Sequence, residues 1–369
     1  MDEAAKRLLR HPSLQVDMEA ERAKTTQLIN CRNGFYDISS EKFYEKRGEM
    51  VFDYVLNFRY IPDADIQKAA VFLGFVDSSL GRKFLKLLLQ VIGYCLSSLT
   101  NGRKAFLLLG RGSTGKSTLL EFLEQVVGEQ NCSHVPFHRM GDIHAHAEYL
   151  GKRVNISREN SDIAMRDEDA FKSLISCEMT TGRRLYENAF DFVPRAKFIF
   201  ASNVDLSFAH ADDAVYDRLL VIPFNKAIPK SQLDKLLLAK MLQERDIIMS
   251  AAVNKLPKLI SSKYDFCEPE ESKKIIERYR AALHTADSFL EECCEVGESA
   301  TVSSVALFQS YAKWCEQNGL EPDGQKKFYG RIRAFSTTIR DGKVIHEGNR
   351  VNGFRGIGFK PPTDNAEKR

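Results

Sequence analysis

The stretch Gly110-Arg-Gly-Ser-Thr-Gly-Lys-Ser117 decides the fold of this 369-residue chain. It matches the pattern G-x-x-x-x-G-K-[ST], in which the glycines let backbone N–H groups turn inward around an anion. The apolar run 105–109 before it has the length of a buried strand. The run 117–127 after it has the apolar spacing of an amphipathic helix, which ends at Gly128. This order of strand, glycine loop and helix predicts a phosphate-binding P-loop.

The loop also predicts how a nucleoside triphosphate and its metal are held. The Lys116 ammonium is expected to reach the β- and γ-phosphates, and the Ser117 hydroxyl to hold Mg²⁺. The positive end of the following helix favours the same anion. The predicted cofactors are therefore ATP and Mg²⁺. The predicted ATP-binding residues are Gly110, Arg111, Gly112, Ser113, Thr114, Gly115, Lys116, Ser117 and Thr118.

Three polar residues downstream complete the predicted catalytic set. Glu159 closes a second strand-like run, where a P-loop ATPase places the acid that orients the attacking water. Asn203 ends a third run and is expected to sense the γ-phosphate. Arg218, 15 residues later, is the expected arginine for the transferred phosphate. Each residue alone also fits an ordinary role as surface acid, turn residue or salt-bridge partner, and their order after the P-loop favours catalysis. The predicted catalytic residues are Lys116, Glu159, Asn203 and Arg218, and the predicted Mg²⁺ ligands are Ser117 and Glu159.

Strand-length apolar runs alternate with helical patterns from residue 105 onward, which is typical of a parallel sheet covered by helices. The predicted fold class is therefore an α/β P-loop ATPase core with a helical N-terminal region and a small C-terminal domain. The predicted divisions are a helical N-terminal or assembly region at 1–102, the ATPase core at 103–228, a helical lid and linker at 229–284, a terminal domain at 285–361 and a disordered tail at 362–369.

The bulk composition indicates a globular protein of the cytoplasm. Hydrophobic residues make up 43% and charged residues 28% of the chain. No apolar run approaches the roughly 18–20 residues that span a bilayer, and the charged N-terminus is unlike a signal peptide. The eight cysteines contain no Cys-x-x-Cys pair, so reduced thiols are expected. No membrane partner is predicted.

The net charge of +3 is unevenly spread. Residues 321–360 hold nine Lys and Arg against four Asp and Glu, a local net charge of +5. A basic block on a nearly neutral body predicts a nucleic-acid partner, and a solvated basic face is the alternative. The basic residues are Lys326, Lys327, Arg331, Arg333, Arg340, Lys343, Arg350, Arg355 and Lys360.

The ordered set of motifs resembles the superfamily 3 helicases. Within them it is similar to the phage/plasmid primase C-terminal family and to the helicase half of poxvirus-type primase-helicases. The resemblance runs along nearly the whole chain, and the ordered set is specific although single pieces are weak. Besides the P-loop, it rests on the stretches 29–34, 58–62, 151–159, 171–176, 181–186, 192–203, 218–224 and 311–358.

The resemblance implies a DNA helicase in the replication of a phage, plasmid or mobile element. It implies an AAA+-like parallel sheet, a homo-oligomeric and hexameric ring that translocates on single-stranded DNA at forks, and Arg218 acting in trans between subunits. It also implies a winged helix at 285–361. A primase or polymerase is a further expected partner, and the expected compartment is the bacterial or host cytoplasm.

The segment 180–192 corresponds to the family's channel hairpin. Arg183 and Arg184, beside Tyr186, are expected to anchor phosphates there, and a solvated turn is the alternative. In the terminal domain a basic helix suits contact with DNA, and a protein-binding winged helix is the alternative. The predicted DNA-contacting residues are Lys172, Arg183, Arg184, Lys327 and Arg331.

Two departures from the family pattern keep other functions open. Arg158 stands where many relatives carry an acid, and the hairpin tip is Glu187-Asn188, where relatives often carry a lysine. Arg158 leaves open an ATP-dependent initiator or clamp that binds DNA without unwinding it. The P-loop alone would also serve a small-molecule phosphotransferase, which needs neither a ring nor a basic terminal domain.

A concentration of histidines and a cysteine follows the P-loop helix: Cys132, His134, His138, His144 and His146. Their spacing fits no standard zinc pattern, so no metal site is predicted there.

Overall fold

The computed structural model describes residues 18–45, 48, 50–158, 165, 167–206, 208, 212–227, 229, 234–283, 285–320 and 322–361. Two compact units make up the chain, Met1–Ile276 and Glu277–Arg369. The predicted disordered tail at 362–369 and residues 1–17 of the predicted N-terminal region lie outside the described residues.

Short strands and helices alternate through the first unit. Its described strands are β1 (Leu28–Cys31), β2 (Gly34–Asp37), β3 (Lys42–Tyr44), β4 (Ala105–Leu109), β5 (Cys132–Ser133), β6 (Val154–Ser157), β7 (Thr180–Gly182), β8 (Phe190–Phe192), β9 (Lys197–Ser202) and β10 (Leu219–Pro223). Its described helices are α1 (Met18–Lys24), α2 (Ala70–Ser79), α3 (Leu85–Leu96), α4 (Lys116–Val127), α5 (Ile143–His146), α6 (Glu168–Ile175), α7 (Asp213–Asp217), α8 (Leu237–Gln243), α9 (Arg245–Val253) and α10 (Leu256–Ser261).

A parallel sheet in the order β10-β4-β9-β6-β5 is the centre of this unit, five strands among the described residues. Every residue of β4, β9 and β10 is buried. Strands with both faces covered read as continuous apolar runs, which is why Ala105–Leu109 is recognisable from the sequence. The α/β P-loop-type core is thus confirmed.

Helices from both ends of the unit cover this sheet. One hydrophobic cluster runs from Ile29 to Phe266 and includes α2 and α3 before the P-loop and α9 and α10 after β10. Burial of this shared apolar surface stabilises the unit as one body, because non-polar area removed from water contributes roughly 25 cal/mol per Å². The predicted N-terminal region therefore packs on the same core as the P-loop.

Because the strands of this sheet are parallel, their carboxyl ends lie at one edge and their amino ends at the other. Leu109 of β4 lies opposite Ser202 of β9, and Pro223 of β10 lies opposite Leu109. The loops that follow β4, β6 and β9 therefore open at the carboxyl edge, where α/β sheets bind ligands. Residues just before β6, β9 and β10 lie at the amino edge.

The second unit alternates helices and strands in its own order. The helix α11 (Glu270–Leu283) contains the unit boundary, and α12 (Thr285–Cys293), β11 (Cys294–Ser303), α13 (Ser304–Gln317), α14 (Gln325–Phe335), β12 (Arg340–His346) and β13 (Asn349–Phe359) follow. The strands form an antiparallel sheet in the order β11-β13-β12. Tyr311 and Phe328 stack with centroids 4.1 Å apart in a core shared with Phe289.

One strand of this unit is not predicted by the sequence pattern. Helical spacing predicts helices near 285–295 and 303–317, close to α12 and α13, but it does not predict the strand Cys294–Ser303 between them. Most of its residues are exposed or half-buried, and a register shift interrupts its pairing with β13. A strand with so little burial lacks the apolar alternation that identifies strands in a sequence.

Candidate nucleotide-binding site

The glycine loop between β4 and α4 has the backbone of a phosphate cradle. Ser113 and Gly115 both have positive φ, +60° and +95°. A Cβ on Gly115 would lie 2.7 Å from the Phe75 ring and 2.8 Å from Ser79 Oγ, so α2 approaches the loop more closely than another residue would permit. Gly115 is also the N-cap residue of α4. Glycine is required here by conformation and by space.

Lys116 lies at the closed end of this cradle. Its residue is 7% exposed, and burial lowers the pKa of its ammonium below the ordinary value. The ammonium donates hydrogen bonds to Gly110 O, to Arg111 O at 2.8 Å and to Asn203 Oδ1 at 3.0 Å. The partners of the Lys116 ammonium are therefore neutral oxygens, and a phosphate anion would bind it more strongly than they do.

Asn203 meets Lys116 because β9 lies beside β4. Gly110 N donates to Ser202 O at 3.1 Å, which fixes the residue after β9 next to the start of the loop. Lys116 and Asn203 are 87 positions apart in the chain, and the parallel pairing of β4 with β9 brings them together. The structure therefore brings together two of the predicted catalytic residues.

A cavity of about 490 Å³ opens above the loop. This volume lies within the range of small-molecule sites, roughly 300–1,000 Å³. One wall is the loop itself, and the other comes from α2 and from the start of α8. The lining residues are Val71, Gly74, Phe75, Ser78, Gly112, Ser113, Thr114, Gly115, Lys116, Ser117, Thr118, Arg158, Asn203, Asp234 and Leu237. Sequence reasoning did not identify the wall residues of α2, which precede the motif by about 40 positions.

The described residues fit a bound triphosphate. The Ser79 hydroxyl is fully buried without a hydrogen-bond partner among the described residues, and it lies against the backbone of Gly115. The cradle and the buried ammonium offer donors for phosphate, and the exposed Ser117 hydroxyl beside them offers an oxygen for Mg²⁺.

The residues after β6 are only partly described. Arg158 lines the cavity, and its guanidinium pairs with Glu124 of α4. Glu124 also binds His134 at 2.9 Å, so one carboxylate holds two basic side chains. The predicted catalytic acid Glu159 lies outside the described residues.

Arg218 lies at the amino edge of the sheet, away from the cavity. Leu219, the next residue, pairs with Ala105 at the start of β4, and the Arg218 carbonyl accepts a hydrogen bond from Ala105 N at 2.7 Å. The five residues of β4 span about 16 Å between this edge and the loop. The Arg218 guanidinium donates to Ser176 Oγ at 3.1 Å and to Ala214 O at 2.8 Å.

The segment 180–192 is a hairpin with an exposed tip. β7 and β8 pair antiparallel, with Thr180 opposite Phe192. Leu185 is 70% exposed, and Tyr186 is fully exposed with a positive φ of +63°. Arg183 Nε donates to Glu187 O at 3.2 Å, within the tip itself.

The other predicted DNA-contacting residues have acidic partners. Lys172 pairs with Asp169 at 2.8 Å and Asp212 at 3.1 Å, and these hydrogen bonds raise the pKa of its ammonium. Arg184 lies 3.8 Å from Glu187. In the second unit the pairs are Lys327–Asp323 at 2.7 Å and Arg331–Asp287 at 3.8 Å.

The histidines after α4 hold the hairpin. His146 contacts Thr181 O at 3.0 Å and Met140 O at 2.6 Å, and His144 contacts Arg183 O at 2.9 Å. No group of three or more His, Cys, Asp or Glu placed to bind a metal ion occurs in the part of the chain that the structure describes. Nor does that part contain a helix long and apolar enough to cross a bilayer.

The fold and the site together define an α/β protein with a P-loop-type core. Two families match parts of the chain. Residues 108–218 match a family of unknown function, DUF5906, and residues 287–344 match the Poxvirus D5 protein-like family.

Known proteins and structures are similar to the chain over longer stretches. The protein L207/L206 of Acanthamoeba polyphaga mimivirus, which is named as a candidate helicase, is 25% identical over 218 residues. The match covers 56% of this chain and 23% of that protein, so the chain spans about a quarter of the length of this relative. The apo structure of the NrS-1 C terminal region has a TM-score of 0.53 and 13% identity, covering 82% of this chain and 78% of that chain. A further apo form of that region has a TM-score of 0.50, with 13% identity and coverage of 81% and 77%.

These likenesses confirm the resemblance predicted from the ordered motifs. Over parts of its length, the chain is similar to the Poxvirus D5 protein-like family and to a mimivirus protein named as a candidate helicase. The structural likeness, at 13% identity, shows a shared fold.

Proposed function

We propose that the chain is an ATP-hydrolysing DNA helicase that acts in the replication of a phage, plasmid or mobile element in the cytoplasm. The observation that carries this proposal is the buried Lys116 ammonium, held 3.0 Å from Asn203 at the closed end of the P-loop cavity. The match to the Poxvirus D5 protein-like family and the mimivirus relative supports the helicase class.

In this proposal the loop N–H groups and Lys116 bind the β- and γ-phosphates of ATP. The Ser117 hydroxyl and the Glu159 carboxylate hold Mg²⁺, which when bound offsets the charge that develops during phosphoryl transfer. Glu159 orients the attacking water. Asn203 contacts the γ-phosphate and exchanges its hydrogen bond with Lys116 for that contact.

We infer that Arg218 acts on the nucleotide of a neighbouring subunit. Its position about 16 Å from the loop of its own chain is too distant for contact with the same nucleotide. A ring of identical subunits, which is a heterologous closed assembly, would place each Arg218 at the next cavity. The proposed ring is a hexamer, following the family resemblance.

The exposed hairpin tip supports a role in gripping single-stranded DNA within such a ring. The Arg184–Glu187 pair is exposed and 3.8 Å long, so its free energy is small and a DNA phosphate can replace Glu187. Tyr186 presents its whole ring to solvent, where a base can stack on it. Lys172, already paired with two carboxylates, is the weakest candidate.

The second unit supports the proposal of a winged helix. Its order of helix, strand, two helices and two strands from α12 to β13 is the order expected for that module. In the proposal α14 presents Lys327 and Arg331 to the DNA backbone. Their surface ion pairs with Asp323 and Asp287 would yield to phosphates.

The deciding experiment measures ATP hydrolysis with and without single-stranded DNA for wild type and Glu159→Gln. We expect DNA to stimulate wild-type turnover, and the variant to bind ATP but hydrolyse it about 100-fold more slowly or worse. Glu45→Gln, an exposed acid elsewhere in the first unit, is the matched control and should behave as wild type. Turnover that is insensitive to both DNA and the Glu159 change contradicts the proposal and favours a small-molecule phosphotransferase.

Arg158 specifically favours a second candidate, an initiator or clamp that does not unwind DNA. Its cationic side chain lines the cavity where many relatives carry an acid, and Glu124 holds it there. A strand-displacement assay separates the two functions. DNA binding that depends on ATP, without displacement of the second strand, would support the clamp.

A further inference from the structure

A second cavity lies at the amino edge of the central sheet and is separate from the P-loop cavity. It measures about 120 Å³. Its walls come from the N-terminal region, the end of α3, the turn before β6 and the chain between β8 and β9. The lining residues are Arg22, Thr25, Asp53, Tyr54, Ser97, Ser98, Leu150, Gly151, Lys152, Arg153, Phe192, Val193 and Arg195.

Positive charge dominates this cavity. Four of its lining residues are Arg or Lys, and one is an acid, Asp53. That acid is already engaged, because its carboxylate accepts a hydrogen bond from Arg22 Nε at 2.6 Å. The Lys152 ammonium donates to Gln130 O at 2.7 Å. Lys152, Arg153 and Arg195 therefore have no carboxylate partner among the described residues.

The partners of Arg153 among the described residues are neutral groups. Its guanidinium stacks 3.4 Å from the centre of the Tyr54 ring and donates to Ser98 Oγ at 3.0 Å and Leu96 O at 3.3 Å. Its Nε–H is buried and has no hydrogen-bond partner among the described residues. An unsatisfied buried donor on a charged group is unfavourable, so the described residues do not fully compensate the Arg153 guanidinium.

Within the described part of the chain, the Arg195 guanidinium forms neither an ion pair nor a hydrogen bond, and it lines the cavity. Nearby, the fully buried Lys197 ammonium donates to Ser97 O at 3.0 Å and Arg195 O at 3.2 Å, again neutral groups. Burial, together with the positive charges of Arg153 and Arg195, lowers the pKa of Lys197 to about 7. The region thus has uncompensated positive charge.

We propose that this cavity binds a single phosphate group, as inorganic phosphate or as the terminal phosphomonoester of a nucleic-acid strand. Two arginines line this cavity, and guanidinium groups match the oxygens of a tetrahedral dianion. The volume suits one phosphate, and a whole nucleotide would need a cavity of several hundred Å³. The inference does not depend on ATP hydrolysis, because none of the lining residues belongs to the P-loop cavity.

The test must separate this site from the P-loop, which also binds phosphate. We therefore use Lys116→Ala as the background and titrate inorganic phosphate at constant ionic strength by calorimetry. Into this background we introduce Arg195→Gln, which removes a guanidinium that the fold does not use. The matched control is Arg32→Gln, an exposed arginine of the same unit that does not line the cavity.

We expect the background protein and the Arg32→Gln control to bind phosphate alike, and Arg195→Gln to bind it about tenfold more weakly or worse. Equal affinity in the Arg195→Gln and Arg32→Gln proteins overturns the proposal, as does the absence of binding at up to about 10 mM phosphate. Unchanged thermal unfolding of Arg195→Gln shows that a loss of binding does not reflect misfolding.

A second arm identifies the source of the phosphate. A single-stranded oligothymidylate of three nucleotides is compared with and without a 5′-phosphate in the same proteins. Tighter binding of the phosphorylated strand, lost in Arg195→Gln, assigns the site to nucleic-acid ends. Binding of inorganic phosphate without any preference between the two strands assigns it to free phosphate. A preference for the phosphorylated strand that survives in Arg195→Gln contradicts the proposed location.

Discussion

Replacing Asn203 by aspartate is expected to weaken ATP binding and hydrolysis, because it adds a negative charge where the γ-phosphate should lie. The Asn203 side chain is 3.0 Å from the Lys116 ammonium. At this separation two unit charges attract by about 5 kcal/mol at an effective dielectric constant of roughly 20. Desolvation offsets part of this attraction, and we take about 2 kcal/mol as the part that ATP must overcome, or about 30-fold in affinity.

Asn203→Ala separates charge from hydrogen bonding. It removes one of the hydrogen bonds of Lys116 and adds no charge, so its loss of affinity should be smaller, about fivefold. Fluorescent-ATP titration with Mg²⁺ gives the affinities, and steady-state hydrolysis gives kcat. Asn188→Asp, at the exposed hairpin tip, adds the same charge away from the cavity and should bind ATP as wild type does. Equal ATP affinities for Asn203→Asp and Asn203→Ala would refute the placement of Asn203 beside the γ-phosphate.

Three further predictions address the loop, the buried lysine and the subunit arrangement. Gly115→Ala should lower the free energy of unfolding by about 2 kcal/mol and abolish ATP binding, because a methyl group would contact Phe75 and Ser79 at a left-handed backbone position. Chemical denaturation measures the stability, and ATP titration measures the affinity. An ATP affinity equal to that of wild type would contradict the close packing. Burial lowers the pKa of Lys197 to about 7, so the unfolded chain binds more protons than the folded one between about pH 7 and 10.5. The free energy of unfolding of wild type should therefore rise by about 2 kcal/mol between pH 7 and pH 9, relative to that of Lys197→Met. The same pH dependence of stability in both proteins would exclude the effect. Lys116→Ala and Arg218→Ala should each be inactive alone, and an equimolar mixture should regain activity at about a quarter of the interfaces if Arg218 acts in trans; a mixture as inactive as its parts would argue against that arrangement.

The core of the fold could be predicted from the sequence because its signals are local. Ala105–Leu109 and Lys197–Ser202 are continuous apolar runs, as expected for strands buried on both faces, and both are strands. The P-loop motif carries its own conformational requirement in Gly115. These runs predict a parallel sheet, because strands that are separated by helices pair in parallel.

The remaining parts of the site depend on contacts between distant segments. Nothing in the sequence around Phe75 of α2 indicates that this side chain lies against Gly115. The ion pair between Glu124 and Arg158 joins residues that are 34 positions apart. This pair positions the Arg158 side chain at the cavity. The short strand Cys132–Ser133 and the exposed strand Cys294–Ser303 lack the apolar alternation that reveals a strand.

The placement of β9 gives the chain a short physical connection between the hairpin and the P-loop cavity. The hairpin strand β8 ends at Phe192, and β9 begins at Lys197 beside the phosphate-sized cavity and ends one residue before Asn203. All six residues of β9 are buried, and neighbouring strands pair with it on both sides, so it is held as a rigid element of about 20 Å. A displacement of the hairpin along its strands would therefore act on Arg195 and Lys197 first and on Asn203 through the strand. Movement could also pass from the P-loop cavity to the hairpin, because a γ-phosphate that draws Asn203 away from Lys116 would pull on the same strand. Within the proposed motor, β9 is the element through which hydrolysis at one edge of the sheet and movement of the hairpin at the other would be linked.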